Sequence, residues 1–258
     1  MGKILTVPNI ILTPPGARNV SARMAGLPWG PDYIEKIQGM FGTDLIGFYV
    51  GDEPPGSAAA VDYSPFGYHG AYTSVKLGQQ GRDGRTCPLY DGATSYMQPP
   101  AGFRAAFNNQ ELTVAILGQF TASVWADGAT RRLISFRADA NNWVTLAKAV
   151  GAGALGANYI AGGTNKTVSV TTGSPITFFS FVMTVSKSSD QMKVFFGGAQ
   201  SGLTQTGLGV WSGPLLATDT LIGAQTTVPT LVMNGLLASC IVLARAATPA
   251  EVAQVSEG

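Results

Sequence analysis

The chain has 258 residues, of which 45% are hydrophobic and only 12% are charged, and its formal net charge is +1. Charges this few and this scattered do not form the concentrated positive field of a nucleic-acid groove, and no run of about 18 apolar residues is present to span a membrane. The low charge and the 33 glycines are typical of one β-sandwich domain, or of an assembly that buries much of its surface, and not of a helical enzyme.

Residues 1–30 predict an extended docking arm. Prolines interrupt any periodicity, yet the segment is too apolar for a disordered tail, so it needs a surface to lie on, either its own domain or a neighbouring subunit. No signal peptide is predicted, because Pro8 and Asn9 break the apolar stretch and no small-residue cleavage site follows it. The apolar residues that we expect to dock are Ile4, Leu5, Val7, Ile10, Ile11 and Leu12.

Residues 31–43 predict one short helix, because Asp32 and Glu35 form a capping pattern before apolar residues at helical spacing. Residues 44–258 then predict a β-domain that ends in a second short helix, opened by the capping box of Thr248 and Glu251. Turn pairs such as Asp-Gly and Asn-Gly separate the strands. Strands are expected near 44–50, 87–90, 94–98, 111–120, 131–137, 142–149, 157–160, 167–171, 176–186, 191–197, 219–223 and 235–245.

Four segments carry a resemblance to a known fold family. They are LIGFYVGDEPPGSAAAVDYSPFGYHGAY, VKLGQQGRDGRTCPLYDGATSYMQPP, ITFFSFVMTVSKSSDQMKVFFGGAQSG, and LIGAQ followed by MNGLLASCIVLARAATPAEVAQV. In this order they resemble the concanavalin A-like jelly roll, specifically its laminin-G-like group of phage and bacterial surface proteins. The resemblance covers residues 33–256. It implies an all-β, two-sheet antiparallel jelly-roll sandwich with an extended N-terminal arm and short flanking helices.

The adjacent carboxylates Asp52 and Glu53 raise the hypothesis of a glycoside hydrolase, an activity found among enzymes of the superfamily that the sequence resembles. Neighbouring side chains of an extended strand point to opposite faces, whereas a hydrolase needs two acids in one cleft. The alternative is that both carboxylates accept backbone N–H groups in a turn. The one histidine, His69, cannot build a multi-histidine zinc site, and we expect it to pack beside tyrosines. A non-enzymatic protein without catalytic residues is therefore predicted.

Asp62 and Asp91 lie in predicted loops and are the first pair that we expect to bind calcium. Their alternative roles are an Asx-turn for Asp62 and a hairpin turn for Asp91. No full set of calcium ligands matches the family pattern, and no other cofactor is expected. Cys87 and Cys240 are either buried free thiols or, if their strands are neighbours, a disulfide.

Exposed aromatic rings at loop tips stack on sugars, and Trp125, Trp143 and Trp211 lie near predicted turns. These residues are the predicted glycan-binding set, with core packing as the alternative.

The main functional hypothesis is a non-enzymatic structural or display protein of a virion or similar assembly, such as a capsid-decorating, fibre or tail component. It would attach through the arm by strand addition or groove packing, would be located in the virion, and would contact other subunits, including copies of itself. The alternative is a lectin-like, carbohydrate-binding adhesion module, calcium-assisted or not, that contacts host-surface glycans. A glycoside hydrolase is the remote alternative. Neither nucleic acid nor a membrane is an expected partner.

Overall fold

The computed structural model describes residues 31–81, 85–149, 153–173 and 177–257. The predicted docking arm, with Ile4, Leu5, Val7, Ile10, Ile11 and Leu12, lies outside the described residues. Its docking therefore stays a prediction.

The described strands form two antiparallel sheets. Numbered in chain order, they are β1 Leu45–Tyr49, β2 Ala59–Ala60, β3 Gly70–Thr73, β4 Lys76–Gln80, β5 Thr86–Asp91, β6 Tyr96–Gln98, β7 Glu111–Gln119, β8 Arg131–Asp139, β9 Asn142–Lys148, β10 Ala154–Ala161, β11 Thr164–Thr171, β12 Phe179–Ser186, β13 Gln191–Phe196, β14 Ala199–Gln200, β15 Thr220–Ile222 and β16 Asn234–Leu243. Sheet I has the order β14-β13-β12-β7-β16-β5-β4, and β1 also pairs with β16. Sheet II has the order β11-β10-β9-β8-β15-β6-β3-β2. The predicted all-β, two-sheet antiparallel jelly-roll sandwich is confirmed.

Short helices flank and connect the strands. They are α1 Pro31–Phe41, α2 Ala101–Ala106, α3 Ala122–Ala126 and α4 Pro249–Val255, with single 3-10 turns at Gly42–Asp44 and Ala217–Asp219. The sequence patterns predict α1 and α4 but not α2 and α3, each of which has fewer than seven residues. No helix of the described residues is long and apolar enough to cross a membrane.

The larger hydrophobic core fills the space between the two sheets. Aromatic rings dominate its centre, where Phe136 lies 5.5 Å from both Phe103 and Phe107, centroid to centroid. Each fully buried side chain of this size stabilises the fold by about 1.5–3 kcal/mol. Alternate residues of β8 to β11, such as Phe136, Val144, Tyr159 and Val168, belong to this core, and period-two alternation therefore directs the residues between them outward.

A second core lies on the outer face of sheet I, beneath α1 and α4. Ile34 and Ile37 of α1 and Val252 of α4 are fully buried against this sheet. The helices also contact each other, because the Tyr33 hydroxyl donates a hydrogen bond of 3.0 Å to the carbonyl of Val255. Sheet I is thus packed on both faces.

The two cysteines are free and buried. Cys87 belongs to the core beneath the helices, whereas Cys240 belongs to the core between the sheets. Burial raises the pKa of the Cys87 thiol to about 12, so this sulfur stays protonated and unreactive. The structure therefore favours the free-thiol interpretation over a disulfide.

Candidate functional site

The outer face of sheet II carries three cross-strand rows of side chains from β8, β9, β10 and β11. The strand register gives the rows as Arg137, Trp143, Ile160 and Asn165; then Ser135, Thr145, Asn158 and Thr167; then Arg132, Ala147, Gly156 and Ser169. Along β11, the outward residues from Asn165 to Thr171 are exposed. This surface therefore offers charged, aromatic, amide and hydroxyl groups side by side.

A buried asparagine fixes the ends of the hairpins that carry the first row. Asn142 is 2% exposed, and its side-chain oxygen accepts hydrogen bonds from the backbone N–H of Gly162 (2.9 Å) and of Ser212 (3.1 Å). Its amide nitrogen donates to Asp139 at the turn between β8 and β9 (3.0 Å). Trp143, the next residue, is consequently held in a defined position beside the β10–β11 turn.

Two arginines contact the ring of Trp143. The guanidinium carbons of Arg132 and Arg137 each lie 5.5 Å from the ring centroid, within cation–π distance. Arg137 is the direct cross-strand neighbour of Trp143, while Arg132 reaches back from the third row. The ring thus orders two positive charges on the sheet and is not a bare stacking surface.

Several polar groups in this patch have no hydrogen-bond partner among the described residues. They are Arg132 Nε, Trp143 Nε1 and Ser135 Oγ, and Ser135 is fully buried. Arg132 donates one long bond, from Nη1 to Thr145 Oγ1 (3.4 Å). Arg137 donates from Nε to the Asp139 carbonyl (2.9 Å). Since each guanidinium has five N–H donors, most of the donor capacity is unused.

Neutral polar groups continue the patch toward the sheet edge. Thr167 Oγ1 donates to Asn158 Oδ1 (2.7 Å), and Asn158 Nδ2 donates to Thr145 Oγ1 (3.2 Å). In the third row, Gly156 is buried, yet a Cβ atom placed on it would meet no heavy atom within 4 Å. A narrow depression therefore lies above Gly156 and beside this polar chain.

The three predicted glycan-binding tryptophans occupy different environments. Trp125 is 6% exposed and packs 6.0 Å from Phe120, and Trp211 is 4% exposed and packs 6.1 Å from Tyr159. Both belong to the core between the sheets. Trp143 is partly exposed on the outer face of sheet II. Only this last position is open to a ligand.

Asp62, one of the two predicted calcium ligands, is buried and holds together the loop after β1. One of its carboxylate oxygens accepts the backbone N–H of Phe48 (2.8 Å) and Ser64 (2.9 Å). The other accepts the Ser64 hydroxyl (2.6 Å) and the Tyr68 N–H (2.7 Å). Both oxygens are thus already used by protein donors.

Asp91 closes a separate turn between β5 and β6. Its Oδ1 accepts the backbone N–H of Ala93, Thr94 and Ser95, at 2.8, 2.8 and 3.0 Å. Among the described residues, no group of three or more His, Cys, Asp or Glu side chains is arranged to hold a metal ion. Calcium binding at Asp62 and Asp91 stays a prediction.

Asp52 and Glu53 make contacts in two different clusters. Asp52 accepts the hydroxyl of Tyr63 (2.9 Å), which packs against the core beneath the helices. Glu53 is buried and accepts the hydroxyl of Tyr72 (3.1 Å), which packs against the core between the sheets. Burial raises the pKa of Glu53, and the neighbouring charge of Asp52 adds to this effect. The two carboxylates therefore diverge and do not line a common cleft.

His69 borders a surface cleft of about 290 Å³, which is also lined by Gln98 and Arg104. Its Nδ1 accepts the backbone N–H of Asp62 at 3.0 Å, so the ring is tied to the same loop that Asp62 organises. This bond assigns His69 a structural role in the loop.

The sequence patterns did not single out Arg137, Ser135 and Asn158. The alternation of β8 contains a signal for the first two, since Ser135 and Arg137 share one face of a strand whose other face is apolar. Arg132 shares that face only because a bulge shifts the register between Arg132 and Ile134. Sequence alternation alone would have placed Arg132 toward the core.

No family model matches this chain, and no curated protein sequence matches it. Solved structures do match. One is domain 4 of AbnA, a GH43 extracellular arabinanase from Geobacillus stearothermophilus, in complex with arabinotriose. It is 14% identical, with a TM-score of 0.59, over 83% of this chain and 98% of that domain.

Two further matches extend over larger proteins. The binding domain of botulinum neurotoxin serotype D is 11% identical with a TM-score of 0.64, over 85% of this chain and 53% of that domain. Trypanosoma rangeli sialidase in complex with sialic acid is 13% identical with a TM-score of 0.59, over 83% of this chain and 33% of the sialidase. At such identities the likeness shows the fold alone, a β-sandwich domain.

These comparisons agree with some of the hypotheses drawn from the sequence and do not support others. They agree with the jelly-roll sandwich but do not single out its laminin-G-like group or a phage origin. None of the three structures is a virion component, so the main hypothesis finds no support in them. Two of the three structures contain a bound saccharide.

Proposed function

We propose that this chain is a non-catalytic carbohydrate-binding module whose ligand lies on the outer face of sheet II. The observation that carries the proposal is the patch around Trp143, where the guanidinium groups of Arg132 and Arg137 each lie 5.5 Å from the centroid of a partly exposed ring. A partly exposed aromatic ring and guanidinium N–H donors suit the hydroxyl groups of a saccharide.

The resemblances support this proposal. An arabinanase domain and a sialidase of similar fold were solved with arabinotriose and with sialic acid, respectively, and the neurotoxin match is a binding domain. The divergence of Asp52 and Glu53 supports a binding role over hydrolysis. Membership of the laminin-G-like group is part of the proposal, and a place in a virion with like subunits stays a prediction.

Screening of immobilised neutral and acidic glycans tests the proposed function, followed by titration calorimetry on the best ligand. The Trp143→Ala variant should bind at least about tenfold more weakly, a loss of about 1.4 kcal/mol. Phe66→Ala is the matched control, because Phe66 is an aromatic residue that is 44% exposed on the loop between β2 and β3.

The control variant should bind like the wild type, and both variants should melt cooperatively. Absence of binding to every glycan contradicts the proposed function. Equal losses of affinity in the Trp143→Ala and Phe66→Ala variants would show that the binding site does not lie on the outer face of sheet II.

A further inference from the structure

The outer face of sheet II holds a positive charge that the described protein groups do not neutralise. Arg132 has no carboxylate within 4.0 Å among the described residues, and Arg137 approaches only Asp219, at 3.8 Å. Not every arginine of the chain lacks a close carboxylate partner. Arg245, for example, is paired with Glu251 at 2.7 Å and with Asp44 at 2.8 Å.

An arginine without a counter-ion is costly in this position. Burial lowers the pKa of Arg132, because the charged guanidinium is partly withdrawn from water. Its Nε is buried without a partner, and an unpaired buried charge is strongly unfavourable. A ligand carboxylate would supply the missing counter-ion by accepting from the Nη groups of the guanidinium, since Nε is itself buried.

The geometry also limits where the rest of the ligand would lie. Arg132 begins the third row, and of the next two residues of this row, Ala147 has only a methyl side chain and Gly156 has none. The depression above Gly156 lies in the same row as the arginine. Asn158, two residues further along β10, is partly exposed and carries an amide group that suits the hydroxyls of a sugar ring.

Resting on the function proposed above, we infer that the ligand is an acidic saccharide. Its carboxylate binds at the Arg132–Arg137 pair around Trp143, and its neighbouring ring lies in the depression above Gly156. The neutral amide and hydroxyl groups of Asn158 and Thr167 favour a hydroxyl-rich ligand over an acidic peptide.

Titration calorimetry with matched ligands tests this inference. The probes are oligogalacturonate, its fully methyl-esterified form, a neutral arabinan oligomer, a sulfated galactan oligomer and poly-glutamate. We expect oligogalacturonate to bind at least about tenfold more tightly than its ester, because esterification removes the charge and retains the ring. The affinity should also fall as salt is added.

Three variants locate the site. Arg132→Gln and Arg137→Gln should each weaken binding of oligogalacturonate at least about tenfold and should reduce its preference over the ester. Arg104→Gln, a basic residue outside this face, is the control and should bind like the wild type. Gly156→Val should also weaken binding, because its side chain fills the depression. It should fold normally, since a Cβ at this position meets no atom within 4 Å.

The outcomes separate the inference from the proposed function. Equal binding of oligogalacturonate and its ester, or tighter binding of arabinan, overturns the acidic ligand and leaves a carbohydrate-binding module. Equal binding of the sulfated oligomer overturns the preference for a carboxylate, and equal binding of poly-glutamate overturns the preference for a saccharide. Absence of binding to every saccharide overturns both. A Gly156→Val variant that melts normally and binds fully overturns the position of the ring.

Discussion

Asp62 shows how much of the fold depends on one carboxylate. Its two oxygens accept four hydrogen bonds, which join β1 to the loop that contains Ser64 and Tyr68. In an Asp62→Asn variant, one oxygen becomes an NH2 group that cannot accept, so two of these donors lose their partner. We expect the free energy of unfolding to fall by about 2 kcal/mol or more, as measured by urea denaturation.

The Glu35→Gln substitution, at an exposed position of α1, is the control for Asp62→Asn and should change stability by less than about 0.5 kcal/mol. Similar effects of the two substitutions would contradict the structural role of Asp62. A melting temperature that falls when calcium is chelated would instead favour the calcium prediction for Asp62 and Asp91. The occupied oxygens of Asp62 lead us to expect no change.

Glu53 predicts a pH-dependent contribution to stability. Because burial raises its pKa in the folded state, folding favours the protonated form. The stabilisation is fully present below the pKa of the unfolded chain and is lost as the pH rises through the higher folded value. The Glu53→Gln variant carries no charge at any pH. Its stability relative to the wild type should therefore increase between about pH 4 and pH 8.

Urea denaturation across this pH range measures the difference between the wild type and Glu53→Gln. The glutamine oxygen can still accept the N–H of Val61, as Glu53 does at 2.5 Å, so folding should not be impaired. A difference that stays constant with pH would contradict the prediction.

At the scale of elements, α4 is the best predicted helix. The capping box that the sequence indicates is present: the Thr248 side chain accepts the N–H of Glu251, and the Glu251 side chain accepts the N–H of Thr248. Glu251 also receives two hydrogen bonds from Arg245, at 2.7 and 2.9 Å. Hydrogen bonds from Arg245 lower the pKa of Glu251 to about 2.

The Glu251→Gln substitution should keep the cap and lose the ion pair. We expect it to lower the free energy of unfolding at neutral pH by about 0.5–1 kcal/mol, in the range of partly exposed pairs. A depressed carboxyl pKa stabilises the fold above the unfolded value of 4.5. This stabilisation is lost as the pH falls through about 2. Urea denaturation should show the two proteins converging in acid, and a difference that grows in acid would contradict this account.

Some elements could not be predicted because tertiary pairing forms them. Strands β2, β3 and β14 have two to four residues and contain glycine, alanine or polar residues without a clear apolar alternation. Their pairing with neighbours, and not intrinsic preference, makes them strands. The bulge between Arg132 and Ile134 is also a product of strand pairing and not of local sequence preference. It changes the face on which Arg132 lies, so the most important residue of the candidate site was not visible from the sequence.

At the scale of the whole molecule, the order of the strands and turns was sufficient to predict the sandwich. Long apolar strands such as β7 and β12 have both faces buried, as their sequences indicate. The sequence could not show which sheet has a covered outer face. That depends on where α1 and α4 pack, and it leaves the patch around Trp143 on the opposite side of the sandwich.

This separation predicts that stability and binding can be changed independently. Ile37 is fully buried between α1 and the outer face of sheet I, so Ile37→Ala should lower the free energy of unfolding by about 2–5 kcal/mol. Its affinity for the best glycan should stay within about twofold of the wild type at a temperature where the variant is folded. Arg132→Gln should show the reverse, a large loss of affinity with a smaller change in stability. Calorimetric titration and urea denaturation of both variants measure the four values. A loss of affinity in Ile37→Ala comparable to that in Arg132→Gln would show that the two outer faces are coupled.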